Sequence, residues 1–118
     1  MNVREALIAL DALFVDQTKW TKGSFGRDSG GIPICAFDEI PACSCWCLSG
    51  GISKVTGCRP LENLAFKVQR HMEKMLVIDK RFHKPGMWYH SVVSEFNDDP
   101  STDFARVKEF ISACIAAC

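Results

Sequence analysis

The sequence carries no net charge: 14 Lys and Arg side chains are matched by 14 Asp and Glu. A global positive field of the kind that gathers nucleic acid is therefore missing. No apolar run approaches the length that crosses a bilayer, so no membrane partner is expected. The opening Met1-Asn2-Val3-Arg4-Glu5 has an early acid and no apolar stretch behind it, so no secretory leader is expected either. Glycine-rich phosphate cradles are lacking too. Gly23-Ser24-Phe25-Gly26 and Gly30-Gly31 have neither the strand-to-helix context nor the Lys-Ser/Thr pair that a nucleotide loop uses. No internal repeat or low-complexity segment is visible. A length of 118 residues fits one domain, 1–118, able to bury a core without a metal or disulfide staple.

What is present is apolar side chains at helical spacing. Val3, Ala6, Leu7, Leu10, Leu13 and Phe14 share one helical face, and Asn2 with Glu5 three residues on makes a capping-box pattern. Between Thr18 and Ile34 that period vanishes among glycines, and Asp28-Ser29-Gly30-Gly31 signals a turn. This predicts a hairpin pairing Ser24–Arg27 with Ile32–Ala36. A second helix is expected to open at Asp38, pass through Cys47, Leu48, Ile52 and Val55, and stop at Gly57. Pro60 is expected to open a third, carrying Leu61, Leu64, Ala65, Val68, Met72 and Met75. A short fourth helix spans Trp88, Val92 and Phe96. Ser101 or Thr102 caps a last one built on Phe104, Val107, Phe110, Ile111, Cys114 and Cys118. The expected fold is mainly α: about five helices around one core, with a small β-hairpin inserted after the first helix.

Seven cysteines raise the question of metal, disulfide or nucleophile. An odd count without a leader predicts reduced thiols in a cytoplasm. On the expected helix, Cys43 and Cys47 share a face while Cys45 points away, so the three do not converge on an ion. No metal and no cofactor are expected, and Cys43, Cys47, Cys114 and Cys118 are read as core filler. A thiolate nucleophile needs a fixed base beside it. Nothing in the sequence fixes His71, His83 or His90 beside a cysteine.

Charge is unevenly spread. Lys67, Arg70, Lys74, Lys80, Arg81 and Lys84 meet only Glu73 and Asp79, whereas Glu95, Asp98, Asp99, Asp103 and Glu109 meet only Arg106 and Lys108. A basic side and an acidic side favour oriented docking to a partner, although a plain solvated helix face gives the same pattern. Phe82, Trp88 and Tyr89 lie beside the basic run. Tyr, Trp and Arg dominate binding hot spots, which makes Lys80, Arg81, Phe82, Lys84, Trp88 and Tyr89 the first candidate site, for a protein partner. The same basic 67–84 stretch with its aromatics could instead stack a single-stranded nucleic acid, against which the zero net charge counts.

Two stretches resemble a known family. One runs Trp20-Thr21-Lys22-Gly23-Ser24-Phe25-Gly26-Arg27-Asp28, then Gly31 and Trp46-Cys47-Leu48-Ser49-Gly50-Gly51; the other is Phe96-Asn97-Asp98, then Pro100, Thr102 and an apolar helix. They are similar to domain of unknown function 6197, a family of small bacterial and phage proteins. Its members show a Trp-x-x-Gly…Arg-Asp segment, a Cys-x-x-Gly helix and a Trp-Asn-Asp segment before a final helix. Here Phe96 replaces the usual Trp, and the stretch from Leu76 to Trp88 is longer than typical. The family brings no activity, but the resemblance points to Trp20, Arg27, Asp28, Asn97 and Asp98. Arg27 is a planar donor able to grip a carboxylate, so one expectation is an Arg27–Asp98 pair pinning the hairpin to the last helices. The other is a polar pocket beside Trp20 serving a small enzyme or ligand-binding protein. The leading functional expectation is a non-enzymatic protein-interaction module, for which a phage-type inhibitor of a host protein fits. The number of copies in solution stays open.

Overall fold

The computed structural model describes residues 1–82 and 92–118. Five helices enclose the core: α1 (Val3–Leu13), α2 (Leu48–Thr56), α3 (Asn63–Ile78), α4 (Val92–Asp98) and α5 (Phe104–Ala116). Between α1 and α2 lie three two-residue strands, β1 (Gly26–Arg27), β2 (Pro33–Ile34) and β3 (Cys45–Trp46). The mainly α architecture with a small β element after the first helix is as the sequence predicts.

Helix α1 begins at the expected residue. The Asn2 side chain accepts from Glu5 N–H at 2.8 Å, and Glu5 Oε1 accepts from Asn2 N–H at 3.0 Å, completing the capping box. Its apolar face, Ala6, Leu7, Leu10 and Phe14, is fully buried. The other helix starts move. Helix α3 opens at Asn63, not Pro60, and α5 is capped by Asp103, whose carboxylate takes the Arg106 N–H at 2.8 Å; Ser101 and Thr102 are not its cap. Ser101 instead bonds Asp99 within the preceding turn.

The larger correction concerns residues 38–47, which do not form the expected α-helix. Phe37–Ala42 form a 3-10 turn around Pro41, and Cys45–Trp46 form β3. The sheet order is β2-β1-β3, antiparallel throughout, with Gly26 opposite both Ile34 and Trp46. The backbone of this segment is drawn into cross-chain pairing: Ser44 N–H donates to Arg27 O at 2.8 Å, Cys47 N–H to Phe25 O at 3.0 Å, and Thr21 N–H to Trp46 O at 3.0 Å. Pairing with a second segment satisfies those backbone groups without a helix, and local propensity yields to it. The hairpin is correspondingly shorter than expected and gains a third strand.

The core joins all five helices. Phe82, Phe96 and Phe110 form an aromatic cluster, with Phe110 centroids 5.1 Å from Phe82 and 4.8 Å from Phe96. The Arg106 guanidinium lies over both Phe82 and Phe96, at 5.5 and 5.6 Å. Phe82 is 1 % exposed, so it is a core residue and not the exposed anchor expected beside Trp88 and Tyr89. Cys43, Cys47 and Cys114 are buried as expected, but Cys118 is exposed at the end of α5.

Candidate functional site

The motif-bearing segments meet around one side chain. Asn97, at the end of α4 and 1 % exposed, uses its carboxamide to full capacity. Oδ1 accepts from the Trp20 indole N–H at 2.7 Å and from the Leu48 N–H, the first amide of α2, at 3.0 Å. Nδ2 donates to Thr21 O at 3.1 Å and to Asp98 Oδ1 at 2.9 Å. Asp98 Oδ1 also accepts the Gly23 N–H at 3.0 Å, and Lys22 Nζ donates to Asp99 O at 2.7 Å. The loop 20–23, the start of α2 and the end of α4 are thus tied at a single point.

Helix α2 is positioned by the same meeting. Cys47 caps it, its thiol sulfur accepting from the Gly50 N–H at 3.3 Å. A Cβ on Gly50 would fall 1.9 Å from Phe25 O, so only glycine lets the helix lie against the hairpin backbone. The Cys-x-x-Gly spacing therefore has a packing origin.

Of the five residues that the resemblance points to, Asn97 bonds Trp20 and Asp98; Arg27 and Asp28 bond none of these three, and the expected Arg27–Asp98 pair is absent. Arg27 braces the loop from the hairpin side, donating to Thr21 Oγ1 at 2.9 Å and to the carbonyls of Lys22 and Gly31 at 3.3 Å each. Asp28 closes the hairpin turn, its Oδ1 accepting from Gly30 N–H at 2.9 Å and Ile32 N–H at 3.0 Å. Both are turn-building residues.

Beside the Asn97 hub lies a cleft of about 240 Å³, lined in part by Phe25, Cys35, Cys47, Ser94, Asn97 and Asp98. Burial pushes the Cys47 thiol up to about 11, so it stays protonated at neutral pH and is no ready nucleophile. Burial likewise pushes Cys114 to about 12 and raises Cys43. Among the described residues, no three His, Cys, Asp or Glu side chains converge as a metal site requires.

One cysteine–histidine contact escaped the sequence because 47 positions separate its members: Cys118 Sγ lies 3.6 Å from His71 Nε2. The same nitrogen lies 2.8 Å from Cys114 O. A carbonyl only accepts, so Nε2 carries the proton and holds no lone pair toward the thiol. His71 in this tautomer cannot act as base on Cys118.

The first candidate site is divided. Lys84, Trp88 and Tyr89, with His83 and His90, lie outside the described residues. Arg81 is held by Asp79, Nη2 to Oδ2 at 2.7 Å, and approaches Glu109 at 3.8 Å. Lys80 is exposed. The structure adds what periodicity left unweighed, the outer face of α3. At about 100° per residue, Phe66, Val77, Arg70, Asn63, Lys74, Lys67 and Ile78 fall in that order across about a third of the helix circumference. Phe66 is 45 % exposed and Ile78 70 %, and Glu73 is buried against Arg70 at 3.3 Å, so this arc presents apolar and basic groups and no exposed acid.

No helix among the described residues is long and apolar enough to cross a membrane. No curated protein and no solved structure matches the chain. The family of unknown function DUF6197 matches residues 1–117, and with its Trp20, Cys47–Gly50 and Asn97-Asp98 segments joined at one hub, the chain belongs to that family.

Proposed function

We propose that this chain is a small protein-interaction module that docks an acidic protein surface through the outer face of α3. The observation that carries this is the α3 arc itself: Phe66, Val77 and Ile78 stand exposed among Lys67, Arg70 and Lys74. Apolar anchors bordered by charge of one sign give both contact area and orientation. Lys80 extends the basic border beyond the helix end. All seven cysteines are free thiols, which suits a reducing cytoplasm.

The test compares immobilised wild-type protein with a Lys67→Glu, Lys74→Glu double variant and with Phe66→Ala, each checked for an unchanged melting temperature. Proteins captured from cell extract by the wild type should be lost from both variants. Identical captured sets would overturn the reading. Capture of a single-stranded oligonucleotide that collapses between low and moderate salt would replace the protein partner with nucleic acid.

A second reading has its own observation, the cleft beside Asn97 with the Asp98 carboxylate at its wall. It makes the domain a binder of a small ligand bearing a hydrogen-bond donor. Under this reading Ser94→Trp, which fills the cleft from an exposed position, blocks ligand binding and leaves capture of proteins by α3 intact.

A further inference from the structure

A second cleft, of about 290 Å³, opens on the opposite end of α2, where the 3-10 turn at 37–42 meets the helix C-terminus. Phe37, Ile40 and Pro41 supply apolar walls, and Ser53 and Lys54 line it from α2. Its volume falls just below the roughly 300–1,000 Å³ range of ligand pockets, which suits a single ring better than a nucleotide.

Ser53 is the unusual member of this lining. It is 2 % exposed, and its hydroxyl has no hydrogen-bond partner among the described residues. The neighbouring hydroxyls of α2 are engaged: Thr56 Oγ1 donates back to Ile52 O at 2.8 Å, and Ser49 Oγ accepts from Gln69 Nε2 at 3.2 Å. A buried hydroxyl without a partner is a standing penalty that a bound polar atom would remove.

Charge at the rim selects the other end of a ligand. Lys54 is exposed, its ammonium 5.9 Å from the Trp46 ring centroid, with no carboxylate partner among the described residues. Asp38, the one acid among the described residues lining the cleft, lies 3.7 Å from Arg59, whose guanidinium stands 5.0 Å over the Phe37 ring. The Asp38 carboxylate is thus matched by Arg59 while the Lys54 ammonium is not matched by any described carboxylate, and the rim favours an anion. A flat apolar body suits the Phe37, Ile40 and Pro41 walls.

We infer that this cleft binds a small aromatic carboxylic acid, with the ring between Phe37, Ile40 and Pro41, the carboxylate on Lys54, and a polar ring substituent on the Ser53 hydroxyl. The site is separate from the α3 face and from the Asn97 hub, and it stands or falls independently of both.

The test is a titration of the full chain, followed by amide NMR, with benzoate, meta- and para-hydroxybenzoate, and benzylamine. Saturable shifts are expected at Ile40, Ser53 and Lys54 with the acids, and one of the hydroxylated acids should bind several-fold tighter than benzoate. Lys54→Met should weaken every acid by about tenfold, the loss of one charge-assisted contact. Ser53→Ala should erase the preference for the hydroxyl while leaving benzoate unchanged, and should not lower the melting temperature. Absence of saturation, shifts confined to other residues, benzylamine binding as well as the acids, or indifference to Lys54→Met would each overturn the assignment. A hydroxyl preference that survives Ser53→Ala, or a lowered melting temperature in that variant, would overturn the role given to Ser53.

Discussion

Asn97 accepts a 2.7 Å hydrogen bond from the indole of Trp20, 77 positions earlier in the chain. That one carboxamide also holds the first amide of α2 and the backbone of the loop after Trp20. The Leu48 N–H is buried and the Trp20 indole half-buried, so loss of the carboxamide oxygen strands both donors together.

Asn97→Ala should therefore cost about 3 kcal/mol or more in urea unfolding, since Leu48 N–H and Trp20 Nε1 both lose their acceptor. Trp20→Phe, which removes one donor and keeps most of the ring, should cost about 1–2 kcal/mol. A loss in Asn97→Ala no larger than in Trp20→Phe would show that the hub is not where these segments are joined.

Gly50→Ala should destabilise the fold by about 3 kcal/mol, because the new methyl would meet Phe25 O at 1.9 Å and push α2 off the hairpin. Gly57→Ala, at φ +69° with open space around it, should cost only about 1 kcal/mol. The comparison of the two melting curves separates steric contact from backbone conformation.

Alkylation of the folded protein should label Cys35 and Cys118, which are exposed, and spare Cys47 and Cys114 until denaturant is added. Both buried thiols ionise later in the folded state than in the unfolded chain, near 11 and 12 against an ordinary value of 9.0. Their contribution to stability is complete below pH 9.0 and declines as pH rises, because the unfolded thiols ionise first. Urea midpoints should fall between pH 9 and 11, and Cys114→Ala should flatten part of that fall.

Phe110→Ala should cost about 3–5 kcal/mol, since its ring touches both Phe82 and Phe96 under the Arg106 guanidinium. An Arg106→Met variant, keeping the covering stem and losing the charge over the rings, should cost about 1 kcal/mol. Thermal unfolding of the two variants checks both values.

Helix α1 was legible in the sequence because its information is local: Asn2 and Glu5 are three residues apart, and the buried face repeats each turn. The apolar stripes of α3 and α5 were legible for the same reason, while their first residues were not, because capping depends on which side chain reaches a free amide. The 38–47 segment is a 3-10 turn followed by a strand where the sequence predicts an α-helix. Its backbone groups are claimed by Phe25, Arg27 and Thr21, and no short window of sequence contains those partners. The candidate residues divide along the same line. Trp20, Asn97 and Asp98 were singled out by resemblance, but their joint role exists only once α4 is docked against α2. Arg27 turned to its own loop for bonds, since three nearby oxygens satisfy a guanidinium without a distant carboxylate.

By itself the sequence determined the helical class, the start of α1 and the fate of three of the four cysteines assigned to the core, because periodic burial is written in the order of side chains. The tertiary structure alone decided the third strand, the hub at Asn97, the burial of Phe82 and the orphaned hydroxyl of Ser53. Each of these depends on atoms brought close by folding from positions far apart, and hydrogen bonding and desolvation act on distance in space, not on distance along the chain.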